Sequence, residues 1–162
     1  MENIILASSS PRRQEILKSL GIPFQVVLPN IDESSYIAKS ASELPEILAK
    51  AKAQAVARSM PPKQVIPWIL GADTLVVMGN KVYGKPKDHQ EAFEFLSALQ
   101  DKSHQVITSL ALYNGRTRTT TVRSAATRVT FAPMSKDEIE WYIDTGDWHG
   151  AAGGYRIQGM AS

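Results

Sequence analysis

The spacing of apolar and polar residues predicts a chain in which short strands alternate with amphipathic helices. Short apolar runs are typical of buried strands, whereas apolar residues three or four positions apart are typical of helices. These patterns predict strands at residues 4–7, 22–28, 65–70, 74–78, 81–83, 105–113 and 116–131, and helices at 11–20, 42–58, 88–99 and 135–146. Helices interleaved with strands and hairpins favour an α/β domain with a mixed sheet.

Local residue choices predict where several of these elements begin and turn. Helix N-caps are predicted at Ser10, Asp88 and Ser135, the last two followed by a glutamate three residues later. Two-residue hairpin turns are predicted at Gly79-Asn80 and Asn114-Gly115. The last strand is long enough to predict a bend or break near residues 124–126.

Composition narrows the class of protein. The 162 residues include 43% hydrophobic and 21% charged residues, which is ordinary globular usage, and the formal net charge of +2 is too small to indicate nucleic-acid binding. Cysteine is absent, which excludes disulfides and thiolate catalysis. No apolar run approaches the ~20 residues that span a bilayer, and the N-terminus has no signal-peptide pattern. We therefore expect a cytoplasmic protein with no membrane partner.

The segment Ser8-Ser9-Ser10-Pro11-Arg12-Arg13 joins a predicted strand to a helix N-terminus. Free N–H groups at a helix N-terminus attract anions, and arginine forks suit phosphate. A capped helix with two solvated arginines fits the same residues equally well.

Three further positions could carry chemistry, each with a plain structural alternative. Asp73 follows Gly71 between two strand segments, where α/β sheets place ligands, but a turn-forming aspartate fits the pattern better. Asp32-Glu33 could ligate Mg²⁺ or form an ordinary acidic loop. Lys52 and Lys85 could bind phosphate, or they could lie at the surface with the methylene groups of their side chains packed against the protein.

Two other groups of residues favour structural interpretations. Arg116, Arg118, Arg123 and Arg128 decorate the long last strand. Without aromatic residues between them, they indicate a charged edge strand rather than a nucleic-acid surface. His89, His104 and His149 lack the spacing of zinc ligands.

The chain resembles the Maf family of nucleoside triphosphate pyrophosphatases over essentially its whole length. The matching blocks, in order, are Leu6-Ala7-Ser8-Ser9-Ser10-Pro11-Arg12-Arg13-Gln14-Glu15-Ile16-Leu17, Ile31-Asp32-Glu33, Lys52-Ala53 with Ala55-Val56-Ala57, Gly71-Ala72-Asp73-Thr74-Leu75-Val76, Gly84-Lys85-Pro86, His104-Gln105-Val106-Ile107-Thr108 and Ala152-Gly153-Gly154-Tyr155-Arg156-Ile157-Gln158-Gly159. Each block is short, but their shared order is specific.

The resemblance implies an elongated mixed-sheet α/β fold of the Maf/ITPase-like type, flanked by helices, with a central substrate cleft and often a homodimer. It implies hydrolysis of dTTP and UTP to the monophosphate and pyrophosphate with Mg²⁺ or Mn²⁺, without a nucleic-acid partner. The implied catalytic residues are Asp73, Glu33, Lys52 and Lys85, with Glu33 and Asp73 holding the metal. The implied substrate-binding residues are Ser8, Arg12, Arg13, Thr74 and Gln158.

The sequence departs from the family pattern in three places. Ala151 stands where a lysine is usual, and Ser109 stands where a glycine is common. The family usually continues with a further strand and helix beyond the Ile-Gln-Gly block, so we expect residues 1–162 to form a single Maf-like domain that lacks this segment. These departures leave open a second interpretation, a nucleotide-binding regulatory module linked to cell division with little or no turnover.

Overall fold

The computed structural model describes residues 3–61 and 68–161. The strands are β1 (Ile4–Ala7), β2 (Phe24–Val26), β3 (Trp68–Met78), β4 (Lys81–Tyr83), β5 (Ser103–Asn114) and β6 (Thr119–Thr130). The helices are α1 (Pro11–Ser19), α2 (Leu44–Ser59), α3 (His89–Leu99) and α4 (Lys136–Asp144), and Glu33–Ser35 and Ala152–Gly154 form short 3-10 turns. The strand predicted at residues 65–70 lies partly outside the described residues.

The strands form one mixed sheet, which confirms the predicted fold class. Its order is β2-β1-β3-β5-β6, and β4 pairs with β3. Strand β1 runs parallel to both β2 and β3, whereas β3 and β4 are antiparallel across the predicted turn at Gly79-Asn80. The parallel register places Ala7 beside Gly71, so the C-terminal end of β1 lies next to the middle of β3. The segments that follow Ala7 and Gly71 carry two of the predicted site blocks.

Two compact units, each with its own apolar core, make up the chain. The first comprises the described residues up to Asp73 together with Thr108–Ala125, and the second comprises Thr74–Ile107 and the described residues from Ala126 onward. The first core contains Ile5, Ala7, Ala49, Ala53, Val56, Ile69 and Ala111. The second core contains Val76, Tyr83, Ala92, Leu96, Leu99, Ile139, Tyr142, Ile143, Trp148 and Tyr155.

The helix starts are mostly as predicted. Asp88 Oδ1 accepts a hydrogen bond from Glu91 N at 2.8 Å, and Ser135 with Glu138 forms a complete capping box. Ser10 has the extended backbone of an N-cap, but its side chain makes no capping hydrogen bond. Ser10 is therefore the N-cap residue, as predicted, but its hydroxyl does not satisfy a backbone N–H of the first turn.

The turn between β5 and β6 differs from the prediction of two residues. Asn114 Oδ1 accepts hydrogen bonds from the backbone N–H groups of Arg116 and Thr117, and Arg118 N donates to Asn114 O. Arg118 adopts a left-handed conformation with φ of 56°. An asparagine that caps the turn with its own side chain favours this longer connection. Strand β6 then runs from Thr119 without the predicted break, although the boundary between the two units falls at residues 125 and 126.

The backbone of α2 passes close to β3 at Gly71. A Cβ built at Gly71 would overlap Ala49 O and would lie 2.9 Å from Ala53 N. Both neighbours are helix backbone and cannot move aside as a flexible side chain would. We expect Gly71→Ala to lower the free energy of unfolding by about 1–3 kcal/mol, the usual cost of overpacking a core. Urea denaturation measures this change, and Gly84→Ala is the matched control because a Cβ there meets no atom within 4 Å.

Candidate active site

The chain leaving β1 turns into α1 through a set of hydrogen bonds centred on Ser8. Ser8 is buried, and its Oγ accepts hydrogen bonds from Ser10 N at 3.2 Å and from Arg13 Nη1 at 3.0 Å. Arg13 Nη1 also donates to Ala72 O at 2.9 Å. The guanidinium of Arg13 is therefore anchored at the residue before Asp73, and the alternative of a fully solvated arginine does not hold. Arg12, the next predicted site residue, is exposed.

Lys52 is the centre of a cluster of charged side chains that also contains Glu33 and Asp73. It lies on the buried side of α2 with 7% of its surface exposed. Its Nζ donates to Asp73 Oδ1 at 2.5 Å and lies 2.9 Å from Glu33 Oε1. A buried ammonium is stable only when opposite charges and hydrogen bonds compensate for lost water. Three blocks that are distant in the sequence thus meet at one cation within the first unit.

Burial and charge act in opposite directions on the Asp73 carboxyl. Burial raises the pKa of Asp73, and the negative charge of Glu33 raises it further, whereas Lys52 and Arg13 oppose this rise. Burial likewise lowers the pKa of Arg13, against the attraction of Asp73 and Glu33. The net result is a carboxylate whose proton affinity exceeds that of a solvated aspartate. Such a group is suited to accept a proton from water.

One oxygen of Asp73 is not used within the described part of the chain. Lys52 binds Oδ1, whereas Oδ2 is buried and has no hydrogen-bond partner among the described residues. Within residues 3–61 and 68–161 there is no group of three or more His, Cys, Asp or Glu that could hold a metal ion. Mg²⁺ is, however, commonly bound by one or two carboxylates together with substrate phosphates and water. The donor set of Asp73 Oδ2 and the half-exposed Glu33 therefore fits a divalent ion whose other ligands are water and phosphate oxygens.

Three predicted site residues belong to the second unit. Thr74 is the next residue of β3 after Asp73 and is partly buried, whereas Lys85 and Gln158 are exposed. Ala151, which occupies the usual lysine position, is fully buried.

A buried polar pair in the second unit was not predicted from the sequence. His104 Nε2 and Tyr155 Oη lie 2.6 Å apart, and both residues are about 95% buried. Burial lowers the pKa of His104 and raises the pKa of Tyr155 to about 12. Both residues therefore stay uncharged near neutral pH and connect two of the family blocks. Their spacing of 51 residues gives no local signal in the sequence.

Comparison with known proteins agrees with the blocks and the fold. The family model "Maf-like protein" matches residues 3–162. The dTTP/UTP pyrophosphatases of Desulforamulus reducens and Symbiobacterium thermophilum are each 48% identical over the whole chain, which covers 83% and 80% of their lengths. The dTTP/UTP pyrophosphatase of Pelotomaculum thermopropionicum is 40% identical, with 83% of its length covered.

The fold and the cluster define a mixed-sheet α/β protein with a buried ion-pair site. The solved structure of the Staphylococcus aureus Ham1 protein matches with a TM-score of 0.53 and 15% identity, covering 78% of this chain and 70% of that one, which supports the fold alone. With the family match and the identities above, the chain belongs to the Maf family. No helix in the described ranges is long and apolar enough to cross a membrane.

Proposed function

We propose that the chain is a nucleoside triphosphate pyrophosphatase that hydrolyses dTTP and UTP to the monophosphate and pyrophosphate. The observation that carries the proposal is the buried Lys52 Nζ between Asp73 and Glu33, with Arg13 anchored at Ala72. Relatives at 40–48% identity over the whole chain are named dTTP/UTP pyrophosphatases. The same names favour turnover over the alternative of a regulatory module without catalysis.

In this proposal Asp73 is the proton acceptor. Its Oδ2 is buried and free of protein partners within the described ranges, and its raised pKa strengthens it as a base. The carboxylate orients a water molecule against the α-phosphorus and takes one of its protons. The new bond joins the water oxygen to the α-phosphorus, and the bond from that phosphorus to the α–β bridging oxygen breaks. Pyrophosphate leaves with the electron pair of the broken bond.

Cationic side chains stabilise the charge that develops on the triphosphate. Lys52 is already held by two carboxylates, so its first role is to fix their positions, and its charge also attracts the phosphates. Arg13 supplies a guanidinium held by Ser8 and Ala72, and we propose Arg12 and Lys85 as further phosphate ligands. Preorganised cations of this kind contribute because they need no reorganisation during reaction. Ser8 supports the site by holding Arg13.

A divalent cation is the proposed cofactor. Glu33 would hold Mg²⁺ or Mn²⁺ together with phosphate oxygens, and Asp73 Oδ2 would hold the ion through a coordinated water, so that this oxygen can still accept a proton. When bound, the ion would polarise a phosphoryl oxygen and lower the pKa of coordinated water. Lys52 stays bound to the opposite oxygen of Asp73 and keeps the carboxylate oriented.

Recognition of the base is assigned to Gln158 and Thr74 on the strength of the family resemblance. The amide of Gln158 can accept from N3–H of uracil or thymine while its NH₂ donates to O4. Cytosine presents the opposite donor and acceptor pattern at these positions. A glutamine that is held in one orientation therefore favours uracil and thymine. The homodimer and the cytoplasmic location stay predictions of the sequence analysis.

A product-resolved panel tests this proposal. The chain is incubated with dTTP, UTP, CTP, ATP and GTP, with Mg²⁺ and Mn²⁺ supplied separately and with a chelator control. We expect pyrophosphate and the monophosphate from dTTP and UTP only when a divalent ion is present. Orthophosphate as the first product would contradict the proposal, and calorimetric binding of UTP without product at high protein concentration would favour the regulatory module.

A further inference from the structure

Gln158 lies in a tight turn in the second unit. Gly159 N donates to Arg156 O at 3.0 Å, which closes the turn around Ile157 and Gln158. Both residues inside the turn are exposed, so their own side chains do not fix it by packing. Without other contacts, a turn of this kind would leave the Gln158 amide poorly positioned. The contacts that hold it must therefore come from the residues on either side.

A single carboxylate, that of Asp147, holds both sides of this turn. Asp147 Oδ1 lies 3.4 Å from Arg156 Nη1, and its Oδ2 accepts a hydrogen bond from Met160 N at 3.2 Å. Asp147 follows the end of α4, where its own N–H donates to Thr145 Oγ1. One side chain thus connects the residue before the turn with the residue after it. Its side chain is only 25% exposed, which limits competition from water.

Arg156, the partner before the turn, is itself fixed from several directions. Its Nη2 donates to His149 O at 2.7 Å, and its backbone N donates to Tyr142 Oη at 3.2 Å. The preceding residue, Tyr155, is hydrogen-bonded to the buried His104. Arg156 is therefore a firm support for Asp147 rather than a mobile surface charge.

Gly159 fits this arrangement because the carboxylate passes directly over it. A Cβ built at Gly159 would overlap Asp147 Oδ2 and would lie 3.4 Å from Arg156 O. Any side chain at residue 159 would therefore displace the carboxylate that holds the turn. The close approach explains a glycine at this position by its contact with Asp147.

We propose that Asp147 is a positioning residue that holds the Arg156–Met160 turn so that the Gln158 amide meets the pyrimidine base. The inference rests on the proposed function, since it concerns the same nucleotide. Two hydrogen bonds to one base edge form together only when the backbone that carries the amide is held in place. Asp147 touches neither the phosphates nor the attacking water in this account. Its loss should weaken base recognition and leave the chemical step nearly unchanged.

A double-mutant cycle with Gln158 tests the proposal. For Asp147→Ala we expect KM for UTP, and the calorimetric Kd for UTP, to rise about ten-fold, the loss of one to two such hydrogen bonds. The same change made in a Gln158→Ala background should alter Kd less than two-fold, because no amide is left to position. Asp144→Ala is the matched control: it removes a nearby acid whose side chain is 78% exposed, and it should leave Kd unchanged.

Further readouts separate positioning from folding. Asp147→Asn keeps an acceptor for Met160 N but loses the charge opposite Arg156, so a smaller rise in Kd is expected, with the thermal melting temperature near that of the wild type. An unchanged Kd in Asp147→Ala and Asp147→Asn, or an equal rise in both Gln158 backgrounds, would overturn the inference. Absence of pyrophosphate release by the wild-type chain contradicts the proposed function instead, and the binding cycle still decides on Asp147. Failure of the wild-type chain to bind UTP would overturn both.

Discussion

Replacing Asp73 by asparagine is expected to lower kcat for pyrophosphate release about 10²–10⁴-fold, the range for loss of a general base. The amide of asparagine keeps the size of the side chain but cannot accept a proton from water. Its carbonyl oxygen can still accept the hydrogen bond from Lys52, and Glu33 still pairs with the ammonium, so the fold should persist. The measurement is steady-state release of pyrophosphate from dTTP, with circular dichroism to verify folding. Asp137→Asn, an exposed acid on α4, is the control and should retain full activity.

The pH profile adds a second readout for the same residue. The base must be deprotonated to act, and burial raises the pKa of Asp73. On acidification, activity should therefore begin to fall at a pH above about 3.9, which is the pKa of an ordinary aspartate. The residual activity of Asp73→Asn should lack this acidic limb. The pH dependence of kcat/KM is measured for the wild type. A fall in kcat/KM that begins only at or below the pKa of an ordinary aspartate would contradict the role of Asp73 as base.

Replacing Lys52 by methionine is expected to cost about 3–5 kcal/mol of unfolding free energy, as found when one partner of a buried ion pair is removed. The side chains of Lys52 and Asp73 are only 9% and 8% exposed, so neither water nor salt compensates for the lost ammonium. Asp73 and Glu33 would then repel each other. Urea denaturation gives the change, and Lys50→Met, an exposed lysine on the same helix, should change stability by less than about 0.5 kcal/mol.

The destabilisation by Lys52→Met should depend on pH with a definite sign. Lys52 normally opposes the rise in the pKa of Asp73, so its removal raises that pKa further. An acid whose folded pKa lies above its unfolded value contributes stability at low pH, and this contribution is lost as pH rises through the folded pKa. The cost of Lys52→Met should therefore be larger at about pH 7 than at about pH 5. An equal or larger cost at the lower pH would indicate that Asp73 is not the uncompensated charge.

Local signals in the sequence predicted those features of the fold that depend on neighbouring residues. Ser135 and Glu138 are three positions apart and form the predicted capping box, and Gly79 forms the predicted turn with φ of 62°. Asn114 was correctly placed at a turn, but its side chain also caps two backbone N–H groups, which lengthens the connection. Turn length depends on that side-chain choice, which the dipeptide Asn-Gly alone does not specify.

The candidate site was harder to predict from the sequence, because its contacts join segments that are far apart along the chain. The sequence left Lys52 either as a phosphate ligand or as a surface lysine, and the structure buries it almost completely. Its ion pairs with Glu33 and Asp73 depend on how β3 packs on α2, which no local pattern encodes. The resemblance to the Maf blocks supplied these residues as a set, whereas Asp147 lies outside every block and emerged only from its contacts.

The most direct test of the account is hydrolysis of UTP in water enriched in the heavy isotope of oxygen. If the water activated by Asp73 attacks the α-phosphorus, mass spectrometry should find the heavy oxygen in the uridine monophosphate and none in the pyrophosphate. Heavy oxygen in the pyrophosphate would show attack at the β-phosphorus and would contradict the account.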